Sequence, residues 1–159
     1  YEVEHGPQGG DEINIININS KKMINLGWPL FSYGTPYKDM SSYSLANPKD
    51  EDINFTYDQD DKSFLKPYFY FTPSIAISSI EDCPFSNLVG SNSQYNNCLI
   101  LSSLKDQSFY IMKKENAQSG IKSYEKIYVG NRIRKMYTEH NTIYLFLDNL
   151  KIIKISYKL

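Results

Sequence analysis

The chain has 159 residues, enough for one domain with a sizeable core and short for two. Its 17 Lys and Arg nearly balance 18 Asp and Glu, giving a net charge of −1, which argues against the basic stripe that a nucleic-acid binder lays over phosphates; no apolar run reaches the roughly 18 residues of a membrane-crossing helix. Aromatic residues make up 14%, with 14 Tyr and 8 Phe, and Ile leads the aliphatics while Ala and Leu are scarce, a palette for strands and against a helical bundle.

The chain starts at Tyr1 and not at Met, inside a strand-like segment, and is expected to be a fragment or a processed form. Period-two patterning predicts strands over Ile13–Ile18, Tyr68–Phe71 and Ser74–Ile80. Cys98–Leu101 is a short apolar run suited to burial on both faces. Ser108–Lys113 follows across an Asp106-Gln107 hairpin turn, then Lys122–Val129, broken by Gly130-Asn131. Arg132–Thr138, Thr142–Leu147 and Lys151–Tyr157 complete the run, joined by Glu139-His140-Asn141 and Asp148-Asn149. Short strands and tight turns in the last 65 residues or so predict a four-stranded unit, or blade. Between Met40 and Lys62 the sequence is acidic and irregular and reads as a solvated loop; Asp58-Gln59-Asp60 lacks the glycine and glutamate of a calcium-binding EF-hand. Cys83 and Cys98 have no metal-ligand spacing and are open to pairing or to two free thiols.

Three segments have the residue types for chemistry. In Glu4-His5-Gly6-Pro7-Gln8-Gly9-Gly10-Asp11-Glu12, glycines and a proline fix an irregular backbone between carboxylates. Such a turn exposes carbonyl oxygens of the kind hard cations accept, or it is simply a tight surface turn; it is not a phosphate loop, since no Lys-Ser or Lys-Thr follows. In Asn131-Arg132-Ile133-Arg134 stand the only two arginines of a chain that otherwise uses lysine, two residues apart and so on one face of a strand. That choice points to the planar, multi-donor guanidinium that clamps polycarboxylates, against the plainer reading of two arginines paired with neighbouring acids. Leu101-Ser102-Ser103-Leu104-Lys105 places a lysine at a strand end, by default a solvated one. His5 and His140 have no partner at catalytic or metal spacing, and no nucleophile motif is present, so no catalytic residue is assigned.

In their order these segments resemble the soluble aldose sugar dehydrogenases of the glucose/sorbosone dehydrogenase family, which depend on pyrroloquinoline quinone (PQQ). Glu4-His5-Gly6-Pro7-Gln8-Gly9-Gly10-Asp11-Glu12-Ile13-Asn14 is the most specific part; Asn25-Leu26-Gly27-Trp28-Pro29, Ser32-Tyr33-Gly34, Phe71-Thr72-Pro73-Ser74-Ile75-Ala76, Ser103-Leu104-Lys105 and Asn131-Arg132-Ile133-Arg134 follow. The resemblance implies an all-β β-propeller of six blades, with residues 1–159 as its C-terminal part, about three blades. It implies that the carbonyls of Gly6 and Pro7 hold a catalytic calcium (Ca2+), and that Glu12 and the carbonyl of Leu26 hold a second, structural one. Lys105, Arg132 and Arg134 would contact the quinone's carboxylates and carbonyl oxygens. The implied activity is oxidation of an aldose at C1 to the lactone, with an external electron acceptor, in the periplasm or outside the cell.

The chain also departs from that pattern. Leu26 stands where the family usually has Tyr, Phe71 where it has Trp and Ile77 where it has Pro, and Asn19–Met23 lengthens a loop. The family's general-base histidine and substrate-contacting arginine would precede Tyr1, in the N-terminal half of the propeller, so the isolated chain is expected to be inactive. Two other readings compete: a diverged, non-catalytic propeller that binds ligands or partners, and a stand-alone β module whose open sheet edges would need covering.

Overall fold

The computed structural model describes residues 1–28, 31–35, 64–84, 97–115 and 120–156. Among them there is no α-helix, and none long and apolar enough to cross a membrane. The acidic stretch Met40–Lys62 lies outside the described residues. The chain divides into two compact units, Tyr1–Ile75 and Ala76–Leu159.

The first unit is built on three antiparallel strands in the order β1 (Glu2–Glu4), β2 (Asp11–Asn14) and β3 (Phe69–Phe71). β2 is buried along its whole length although only Ile13 of its four residues is apolar. Hydrogen bonds take up most of the polar side chain of Asp11. Asp11 accepts from the Gly6 amide (3.0 Å), the Ser74 hydroxyl (2.7 Å) and the Ile75 amide (2.8 Å). Two predicted strands are corrected here. Ile13–Ile18 ends as a strand at Asn14, because Asn17 turns the chain: its side chain accepts from the Asn19 amide and its carbonyl from Ser20. Ile18 is left 90% exposed. Ser74–Ile80 begins as a strand only at Ile77, because Asp11 claims Ser74 and Ile75 and Ala76 is left-handed (φ 54°).

The second unit holds two antiparallel sheets. One runs β4 (Ile77–Asp82), β5 (Cys98–Ser103), β6 (Ser108–Lys114), β7 (Ile121–Tyr128); the other runs β10 (Ile152–Ser156), β9 (Thr142–Leu147), β8 (Ile133–Glu139). The expected four-stranded blade therefore exists, but it starts at Ile77, earlier than expected, and the last three strands form a sheet of their own. β5, central in its sheet, is buried on both faces as its unbroken CLIL run foretold. Ile100, Phe109, Ile133, Met136, Ile143, Leu145 and Leu147 form one core with Cys83 and Cys98. β8 is pinned to β4 by the Met136 amide, which donates to Ser79 Oγ (2.9 Å). The cysteine question closes in favour of pairing: Cys83 and Cys98 form a disulfide, Cα–Cα 5.4 Å, across the β4–β5 hairpin.

Candidate functional site

In the first unit the glycine-rich segment is packed so tightly that side chains are excluded. A Cβ on Gly6 would lie 1.9 Å from the Gly9 carbonyl oxygen, and one on Gly10, whose φ is +69°, 2.3 Å from the Gly34 amide nitrogen. Paired bonds between Gln8 and Thr35 (3.2 and 3.1 Å) and the Gly10 amide on the Phe71 carbonyl (2.7 Å) hold the loop against its neighbours. The carbonyls of Gly6 and Pro7 accept no hydrogen bond among the described residues, and neither does that of Leu26. Those three oxygens, two in the packed loop and one in a separate segment, are therefore open to a ligand.

Gly6, Glu12 and Leu26 line one small, open cleft, together with Glu4, His5, Trp28 and Ser32. Glu12 is buried and sits directly opposite Glu4 across the β1–β2 ladder; Glu2 is opposite Asn14. One face therefore gathers three carboxylates and an amide. The Asn14 amide nitrogen donates to Glu2 (3.0 Å) and Glu4 (3.4 Å), while its Oδ1 is buried without a partner among the described residues. Burial raises the Glu4 pKa, and the neighbouring Glu2 charge adds to the effect. Carbonyls plus carboxylate are the hard oxygens that calcium prefers, so the residues present fit a cation of that kind. Among the described residues no three His, Cys, Asp or Glu side chains converge as a metal cluster; any ion here would depend on backbone oxygens.

In the second unit the three predicted cations are at one end of the sheets. Lys105 is exposed in the turn from β5 to β6, with no ion pair among the described residues. The Gln107 carbonyl of that turn accepts from the Val129 (2.9 Å) and Gly130 (3.3 Å) amides, tying it to the segment that leads into Arg132 and Arg134. The left-handed Gln107 (φ 54°) makes the turn at the expected place. Asp106 anchors it, accepting from Tyr110 Oη and from Lys126 Nζ (2.8 Å).

Arg132 and Arg134 do share a face, and they also share a partner that the sequence reading left unnamed. Asp148, just past β9, is 3.0 Å from Arg132 Nε and accepts from Arg134 Nε and Nη2. The hydrogen bond to Arg134 leads the lowering of the Asp148 pKa, and the same bond raises that of Arg134. The only sequence signal for Asp148 was its place in the Asp-Asn turn. Phe71 and Ile77, at the family's substituted positions, are buried. His5 and His140 are both exposed, His140 in the left-handed β8–β9 turn.

Short antiparallel sheets, with no helix among the described residues, make this an all-β fold of the propeller type. The family model for glucose/sorbosone dehydrogenase matches residues 1–154, and the chain belongs to that family. Over 109 residues it is 34% identical to aldose sugar dehydrogenase YliI of Escherichia coli (strain K12), covering 69% of this chain and 24% of that protein. Among solved structures, a glucose dehydrogenase superposes with a TM-score of 0.71 at 22% identity, covering 98% of this chain and 40% of its own. The soluble aldose sugar dehydrogenase of Escherichia coli, in its apo-form, gives 0.65 at 26% identity over 92% of this chain and 37% of its own. The chain thus spans well under half the length of these relatives.

Proposed function

We propose that residues 1–159 are the C-terminal part of a quinoprotein propeller that oxidises an aldose at C1 to the lactone and passes the electrons to an external acceptor. The observation that carries this reading is the gathering of Lys105, Arg132 and Arg134 at one end of the second unit, through the Gln107 carbonyl. A sheet scaffold has no need of three exposed cations there, whereas a planar polycarboxylate needs both point charge and guanidinium forks. When bound, pyrroloquinoline quinone supplies two-electron acceptance, with calcium polarising its reactive carbonyl.

This chain's own residues bind and orient. Gly6 and Pro7 offer carbonyl oxygens to the catalytic ion, and Glu12 with the Leu26 carbonyl holds a second; Lys105, Arg132 and Arg134 neutralise the cofactor's carboxylates. The base that takes the sugar's proton is not among the residues assigned here. The disulfide supports a periplasmic or extracellular setting, since such bonds persist where the environment is oxidising.

The test is titration of the full-length protein with quinone and calcium while following reduction by glucose. Calcium-dependent binding with sugar-driven reduction is expected. Arg132→Lys is expected to weaken quinone binding about tenfold, on the scale of a lost charged hydrogen bond; an unchanged affinity removes Arg132 from the cofactor site. The alternative is a non-catalytic binding module, in which the pairing of Asp148 with both arginines would be structural only. Absence of quinone binding would select that reading.

A further inference from the structure

We infer that Asp148 is a positioning residue, which holds Arg132 and Arg134 as a single two-pronged clamp for a carboxylate-bearing anion. The inference rests on the quinone-binding reading above. Two guanidinium groups two residues apart on one strand face repel each other and carry long, mobile side chains. Here one carboxylate meets both. Its Oδ2 is 3.0 Å from Arg132 Nε and accepts from Arg134 Nη2 at 3.2 Å, while its Oδ1 accepts from Arg134 Nε. The contact is made on the Nε side of each group. The terminal nitrogens of Arg132, and Nη1 of Arg134, have no partner among the described residues, on side chains about half exposed.

The backbone that carries the carboxylate is itself tied down. The Asp148 amide donates to the Arg132 carbonyl (3.0 Å), and its turn is closed by Leu147 on Lys151 (2.9 Å) and Leu150 on Leu147 (3.2 Å). Next to it, Asn149 Nδ2 donates to Asn131 Oδ1 (2.9 Å), so the residues flanking the acid and the first arginine are laced together. A register shift between Ile133 and Lys135 makes Arg134 the extra residue of a bulge, a device that re-aims a side chain at a strand end. Two cations and one anion leave the cluster net positive, as an anion site requires.

Positioning and simple charge predict opposite signs. If Asp148 merely subtracts charge, Asp148→Asn strengthens anion binding and Asp148→Glu leaves it unchanged. If it positions the forks, both variants weaken binding: the first loses the ion pair and the second shifts the carboxylate by one methylene. The experiment is equilibrium titration of the full-length protein with pyrroloquinoline quinone in calcium buffer without sugar, followed by quenching of protein fluorescence, with thermal midpoints recorded for each variant. About tenfold weaker binding is expected for Asp148→Asn and several-fold for Asp148→Glu, at midpoints close to the parent's because the pair is exposed. Parent binding that both variants match or exceed overturns the inference alone. No binding by the parent overturns the quinone reading and the inference with it.

Discussion

The two units present opposite kinds of chemistry by opposite means. In the first, the candidate ligands are mostly oxygen atoms of the backbone, at Leu26 and at Gly6 and Pro7, the latter two displayed by a loop so closely packed that a methyl group on Gly6 has no room. In the second, they are nitrogen atoms at the tips of Lys105, Arg132 and Arg134, displayed on turns and strand ends with open space around them. A backbone site is intolerant of any change in the chain's path, and the side chains it needs, such as Asp11, serve it by holding that path. A side-chain site is the reverse: the sheet survives the substitution and the function does not.

The sharpest way to break that comparison is Gly6→Ala. Its Cβ would fall 1.9 Å from the Gly9 carbonyl oxygen, backbone that has no rotamer to move away, so a destabilisation of about 3 kcal/mol is expected from urea unfolding of the full-length protein. Arg134→Ala in the second unit is expected to leave the urea midpoint where it was while weakening quinone binding. If Gly6→Ala were equally silent, the loop would not be the rigid frame described.

Next in size is the disulfide, which closes a 15-residue separation between β4 and β5. Loop closure of that length contributes about 3 kcal/mol, so reduction is expected to lower stability by up to that amount and to speed amide exchange along the β4–β5 hairpin. Retained exchange protection after reduction would show that the core around Ile100 and Phe109 suffices without the bond.

The sequence made the second unit's sheets readable because its strands alternate cleanly and its turns carry Gln107, His140 and Asp148-Asn149 where the chain reverses. It made the first unit harder to read. There a buried carboxylate, Asp11, organises residues more than 60 positions away, and no local pattern announces that Ser74 and Ile75 are its partners. The apolar run Ile15–Ile18 looks like more strand for the same reason that Ile13 is strand; the Asn17 turn, a side-chain effect, overrides it. For the candidate site, the choice of arginine over lysine was legible as chemistry, whereas Asp148 was not, since pairing across a hairpin depends on register and not on spacing. The cysteines stayed undecided because a sequence separation of 15 permits either outcome until β4 and β5 are known to be neighbours.

The smallest effect is also the most diagnostic of the side-chain unit, because it concerns what keeps the Lys105 turn in place. Partial burial opposes the charged form of Asp106, but hydrogen bonds from Lys126 and Tyr110 and the Lys126 charge outweigh it and hold the carboxyl below its ordinary value of 3.8. A lowered acid contributes stability that is present above the unfolded-state value and lost as pH falls through the folded-state one. Tyr110 shifts the other way: burial first, then its bond to Asp106, raises its pKa above the ordinary 10.0, so its contribution is intact below that value and lost as pH rises beyond it. Tyr110→Phe is therefore expected to cost about 1 kcal/mol at neutral pH and to flatten the alkaline limb of a thermal-midpoint profile. Asp106→Asn is expected to flatten the acid limb below about pH 4. Both variants also free the turn, so quinone affinity is expected to fall modestly, by less than for Arg132→Lys. A profile that keeps both limbs in both variants would place the pH sensitivity elsewhere and leave the Lys105 turn held by the backbone alone.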